Sequence, residues 1–266
     1  MRTIVLLCLA LVLLPSYVSA LSQSDIVSDM RKRCADGRER VVLYRNAVDD
    51  AIDLSKRPQS RTVVWFPGEL RRVCAQGGSV TMVHCHTTTA PEVLFPSAGM
   101  NGRGDIESAL RAVSQCTLAA KLNNKRASLL SLLVDVHSGT VVEYGPKRSL
   151  VRTMQREVRR AHARQQTLAH SFAYLRHPPV MMLPSLTRRA DETTVVDLLD
   201  SRLRSRIVAN GVQFRRAYER YVEKVCADDG KVTTCPLLDI DSFASYIDEL
   251  QLPVYVQRRA SKYVPP

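Results

Sequence analysis

The chain has 266 residues, with 38 Lys and Arg against 26 Asp and Glu, a net charge of +12, and only 6% aromatic side chains. That length suffices for one large domain or for an ordinary domain with an appendage. The basic residues lack interleaved aromatics, so a base-stacking platform, and with it nucleic acid as a partner, is not expected.

Residues 1–20 have the pattern of a secretory signal peptide: Arg2, an apolar core from Ile4 to Leu14, then Val18-Ser19-Ala20 as a small-residue cleavage site. Export is therefore expected, to a secreted or a periplasmic or envelope location. No later run of about 18 apolar residues follows, so no transmembrane segment is expected in the mature chain. Removing the signal also removes Cys8 and leaves Cys34, Cys74, Cys85, Cys116, Cys226 and Cys235. An even number in an exported chain favours disulfides. Cys226 and Cys235 bracket the turn-forming ADDGKVTT and are expected to pair; pairing among the other four stays open.

In chain order, SQSDIVSDMRKR predicts a short opening helix and ERVVLYR a strand. NAVDDAIDLSK predicts a helix with Val48 and Ile52 on its apolar side, RTVVWF a strand ended by Pro67-Gly68, and ELRRVC a returning strand. A strand follows from Ser79 to His86, then a polar loop, then a helix over 106–121. ASLLSLLVDV and TVVEY form a predicted hairpin about His137-Ser138-Gly139. The first half is thus an expected α+β fold. Beyond Gly145-Pro146 the pattern becomes helical: one stretch from Ser149 to Leu175, one from about Thr193 to Val225 with a break at Asn210-Gly211, and a short acidic helix from Ile240 to Leu250. The expected division is a signal peptide at 1–20, an α+β domain at 21–146 and a basic helical region at 147–266.

Charge is uneven across that division. Residues 21–145 carry 16 Lys and Arg against 13 acids, whereas residues 146–266 carry 21 against 13. An anionic envelope or protein surface is an expected partner of the second half, beside the alternative of a basic face that merely faces water.

Chemistry concentrates in residues 79–105. On a strand, Val80, Met82, His84 and His86 share one face and Cys85 takes the other. Two imidazoles pointing the same way, with Asp105 after the loop, match the donors of a zinc site that keeps one position for water. The plainer alternative is two histidines at a strand end and an Asp that caps a helix. Signatures of serine hydrolases, P-loops and dinucleotide folds are absent.

The order strand, Val83-His84-Cys85-His86-Thr87, loop, Gly104-Asp105-Ile106 at a helix start, and a hairpin ending Glu143-Tyr144 resembles the JAB/MPN family of JAMM-type metalloproteases over about residues 40–145. The resemblance implies a mixed sheet with flanking helices, one zinc, and hydrolysis of amide or isopeptide bonds in a peptide or protein substrate. It makes His84, His86 and Asp105 the ligands. It makes an upstream Glu the general base, with Glu69 preferred over Glu39 because it follows the helix expected at 46–56. The loop from His86 to Asp105 is longer than the family's, and Gly102 stands where the family has Ser, with Ser97 as a candidate replacement. These departures favour the alternative function, a non-catalytic secreted or envelope interaction protein on the same fold.

Overall fold

A computed structural model describes residues 22–45, 48–58, 63–65, 67–88, 94–98, 104–173, 192–226 and 238–259. Residues 1–20, where the sequence suggests a signal peptide, Gly102 and Cys235 lie outside them. The described elements are α1 (Gln23–Arg33), β1 (Val41–Tyr44), β2 (Ile52–Asp53), β3 (Ser55–Pro58), β4 (Val63–Trp65), α2 (Pro67–Ala75) and β5 (Gly78–His86). They continue with α3 (Asp105–Leu122), β6 (Ala127–Asp135), β7 (Val141–Pro146), α4 (Arg148–Ala173), α5 (Glu192–Val225), α6 (Ile240–Glu249) and β8 (Val254–Arg258).

The fold is α+β with a six-stranded mixed sheet in the order β2-β1-β5-β6-β7-β8 and a separate β3-β4 pair. Only β5 and β6 run parallel, with Gly78 opposite Ala127 and His86 opposite Asp135. Parallel neighbours need a crossover, and α3 supplies it. The helix must start where β5 ends and finish where β6 begins. Asp105, its first residue, is thereby delivered to the end of β5 that carries the two histidines.

Two early segments differ from the sequence expectation. The stretch predicted as a helix around Val48 and Ile52 is a turn followed by β2 and β3, with Ile52 opposite Leu43 and Leu54 wholly buried. Its i, i+4 apolar spacing mimicked a helix, but pairing along the edge of β1 prevails. Conversely, ELRRVC lies in helix α2 rather than a strand. Pro67 opens the helix, where a missing N–H costs nothing, and Leu70, Val73 and Cys74 face the core.

The sheet is covered on both faces. Ile26 and Met30 of α1 pack with Val42, Tyr44, Val83, Cys85, Leu132 and Val134 on one side. On the other, Val80 and Met82 meet α2 and α3. A third cluster joins Ile106, Leu110, Leu133 and Val142 to Leu203, Phe214, Phe243, Ile247 and Val256. Residues on either side of position 146 therefore share one core, and β8 extends the sheet laid down by β5–β7. Asn210-Gly211 does not break α5. A Cβ on Gly211 would collide with the buried Glu107 carboxylate, so glycine lets α5 approach α3 closely.

Phe243 is the hub of this cluster, with ring centroids 5.2–5.7 Å from Phe95, Phe214, Tyr218 and Tyr221. Phe243→Ala is expected to lower stability by about 3–5 kcal/mol, measured by urea unfolding.

Cys34–Cys85 ties the end of α1 to β5, and Cys74–Cys116 ties α2 to α3. Cys226 is also disulfide-bonded, while its expected partner lies outside the described residues. Such cross-links fit an oxidising compartment. Among the described residues, no helix is long and apolar enough to cross a membrane.

Candidate metal centre

Strand alternation puts His84 and His86 on the face covered by α3, while Cys85 points oppositely into its disulfide with Cys34. The imidazole rings meet edge to face with centroids 4.8 Å apart. His84 is only 6% exposed, which demands partners for both ring nitrogens. Asp105 Oδ1 lies 3.0 Å from His84 Nδ1, and Asp105 Oδ2 lies 3.6 Å from His86 Nε2. On the other side of the ring, Glu39 Oε2 stands 3.5 Å from His84 Nε2. That nitrogen is buried and accepts or donates no hydrogen bond.

Asp105 does not cap its own helix; the N-cap is Gly104, which offers no side chain. Its carboxylate is fixed by Ser97 instead. The Ser97 backbone N–H and hydroxyl donate to Asp105 Oδ2 at 2.8 and 2.9 Å, and the Asp105 N–H donates back to Ser97 Oγ at 3.2 Å. Ser97, the candidate replacement for the hydroxyl missing at Gly102, thus stands beside Asp105 and holds it in place.

Glu39, 5% exposed, comes from the residue pair just before β1. β1 runs antiparallel to β5 with Val41 opposite His84, and continuing that register brings Glu39 level with His86. The segment is pinned by reciprocal bonds: the Arg40 N–H donates to Cys85 Sγ at 3.1 Å, and the Cys85 N–H donates to Arg40 O at 3.1 Å. Glu69, the preferred base in the sequence, is not brought to the histidines. It sits in the exposed first turn of α2, ion-paired with Arg72 at 2.8 Å. The signal that would have favoured Glu39 is the β1–β5 pairing, which no periodicity within either segment reveals.

Glu39, His84 and His86 offer ligand atoms that all lie within 4.8 Å of one another, so this cluster can hold a metal ion. Donors about 2.0–2.1 Å from a tetrahedral ion stand about 3.3 Å from each other, and Glu39 Oε2 and His84 Nε2 at 3.5 Å are near that spacing. Asp105 contacts the opposite nitrogen of the same ring, Nδ1, at 3.0 Å, so it and Glu39 cannot both share one ion with His84 through a single ring nitrogen as the side chains stand. The orphaned His84 Nε2 is likewise the kind of buried atom that a cation would satisfy.

Without a cation, the cluster stores a proton. Burial pushes the His84 imidazole down, but the Asp105 and Glu39 carboxylates outweigh it and leave the pKa raised to about 10. Burial alone would raise Asp105, yet the two histidines hold it well below the usual carboxylate range. Beside them, burial and the Asp105 charge both push the Tyr144 hydroxyl up. A metal must therefore displace the His84 proton. Calorimetric titration with zinc at pH 7, in buffers of different ionisation enthalpy, should reveal release of about one proton per ion.

No protein-family model matches the chain, and neither curated proteins nor solved structures show a match to it.

Proposed function

We propose that the chain is an exported zinc-dependent hydrolase of amide or isopeptide bonds, with a JAB/MPN-like centre. The observation that carries this reading is the meeting of two imidazoles and two carboxylates, all largely buried, at one end of β5. In this scheme His84, His86 and Asp105 hold the ion, and Glu39 takes the general-base role in place of Glu69. A zinc ion there would supply a Lewis acid that makes water nucleophilic near neutral pH and polarises the carbonyl under attack. Glu39 would take the proton from the attacking water and pass it to the leaving amine. Ser97 keeps Asp105 oriented throughout.

A second assignment is favoured by His84 Nε2, which faces Glu39 at 3.5 Å without a well-formed hydrogen bond, and by the contact of its Nδ1 with Asp105. Here Glu39, His84 Nε2 and His86 are the ligands, and Asp105 orients His84 from behind, as outer carboxylates do for metal-bound histidines. Glu39→Gln separates the two. As base, its loss leaves one zinc per chain but lowers hydrolysis of a linked-peptide substrate by at least about a hundredfold. As ligand, its loss also removes the zinc. A wild-type chain that binds no zinc would reject both and leave the interaction protein as the surviving function.

A further inference from the structure

A partly open cavity of about 170 Å³ lies beside the middle of α3, between it, β6, β7 and the start of α4, with Val113, Leu129, Tyr144 and Tyr255 among its walls. For scale, a protein cavity of about 150 Å³ admits benzene. Thr117, Ala127 and Gln155 line this cavity and also an open groove of about 640 Å³, so the one continues into the other.

The two parts differ in chemistry. The groove is walled by Lys121, Lys125, Arg126 and Arg159, with no carboxylate among its lining residues. None of the four forms an ion pair with a described residue, whereas Arg33, Arg40, Arg72, Arg215 and Arg258 are all paired. The turn carrying Lys125 and Arg126 is held rigidly: the Lys125 N–H donates to Ala120 O at 2.8 Å, and the Gly78 N–H donates to Arg126 O at 2.9 Å. Gly77, at φ +79°, is needed there because a Cβ would stand 3.0 Å from Arg126 O. Inside, the Ser131 hydroxyl lines the cavity at 3% exposure with no hydrogen-bond partner. A buried hydroxyl left unpaired costs about 1–3 kcal/mol, and native folds carry few of them.

We propose that this pocket binds a small organic anion, with the charged group held by the basic groove and a compact, ring-sized body seated against Ser131. The cations recruit and orient the charge, and the apolar and aromatic walls take the body. The pocket meets α3 at Val113, Cys116 and Thr117, eight to twelve residues beyond Asp105 and so about 12–18 Å along the helix axis. Tyr144 lies between the two places, but the pocket and groove take none of Glu39, His84, His86 and Asp105 into their walls, so binding there can be measured apart from zinc.

Phenyl phosphate is a suitable probe because it carries both parts. Calorimetry on the full mature chain should show one phenyl phosphate bound, at least about tenfold tighter than inorganic phosphate or phenol. Lys125→Ser with Arg126→Ser should weaken phenyl phosphate and inorganic phosphate by about tenfold alike. Gln155→Trp, an exposed position on the wall shared by cavity and groove, should block the body and weaken phenyl phosphate alone. Phenyl phosphate that binds no better than inorganic phosphate, or that is indifferent to Gln155→Trp, would overturn the proposal and leave a basic patch over a water-filled cavity. Failure to bind phenyl phosphate at all would overturn it too.

Discussion

On the proposed zinc assignment, the wild-type chain should purify with one zinc ion, and His84→Ala and His86→Ala are each expected to fall to almost none. Changing residues that merely support a metal site already costs about 10–100-fold in affinity, and removing a ligand costs more. The two variants should nevertheless differ without metal. His84 stands between Glu39 and Asp105 and is almost wholly buried, whereas His86 is partly exposed. Removing His84 leaves the buried Glu39 carboxylate without its imidazole and Asp105 with only His86 and Ser97, and breaking a buried ion pair in this way costs about 3–5 kcal/mol. Removing His86 leaves the His84–Asp105 contact intact. Metal analysis should therefore find both variants empty, while thermal unfolding in chelator should find only His84→Ala strongly destabilised.

That stability has a pH window. His84 has a folded-state pKa raised above its unfolded value, so its contribution is complete below about pH 6.5 and lost as pH rises through about 10. Asp105 is lowered, so its contribution exists above the unfolded carboxylate pKa and fades as pH falls into the strongly acidic range. Chelated protein is thus expected to unfold more easily at both extremes, with the His84→Ala chain losing the alkaline dependence.

The second large effect concerns the Cys34–Cys85 disulfide. It closes a loop with a sequence separation of 51, for which the chain-entropy relation gives about 4 kcal/mol. Cys74–Cys116, with a separation of 42, gives nearly the same figure. Paired Ser substitutions at either bridge should therefore lower stability alike. Their effects at the metal centre should not match. Cys85 lies between His84 and His86 in sequence, and Arg40, next to Glu39, exchanges bonds with it. Without Cys34–Cys85 the segment carrying Glu39 keeps the ladder and the Arg40 ion pairs with Asp36 and Asp53 but loses its covalent tie to β5, and the Glu39–His84 contact loosens. On the proposed assignment, Cys34→Ser with Cys85→Ser should depress zinc affinity, and with it the proposed hydrolysis, beyond any loss of folded protein. Cys74→Ser with Cys116→Ser, measured under folding conditions, should leave both unchanged.

The sequence made β5, α3 and the β6–β7 hairpin legible because each carries its pattern within itself. Alternation from Val80 to His86 identifies the strand and the shared face of the histidines, and the turn at Ser138-Gly139 identifies the hairpin. Asp105 was legible as a partner because it opens the next helix, and a crossover helix must begin where its strand ends. Glu39 was harder, since its position depends on β1 pairing with β5 across about forty residues. Glu69 was attractive from chain order alone, under a predicted helix that the structure replaces with β2 and β3. The sharing of one core across residue 146 was equally hidden: Phe243 and Val256 show an apolar face, but nothing local says which surface receives it.

The pairing of β7 with β8 has a further consequence for how this protein is built. Val142 lies opposite Arg258, so α4, α5 and α6 must all be synthesised before the last strand can dock. Until then β7 is an edge with unpaired N–H and C=O groups, beside apolar positions that await Phe243 and Val256. Bare strand edges template pairing with other chains, and such long-range closure is slow. The interval before β8 arrives is when this chain most needs protection from its own copies.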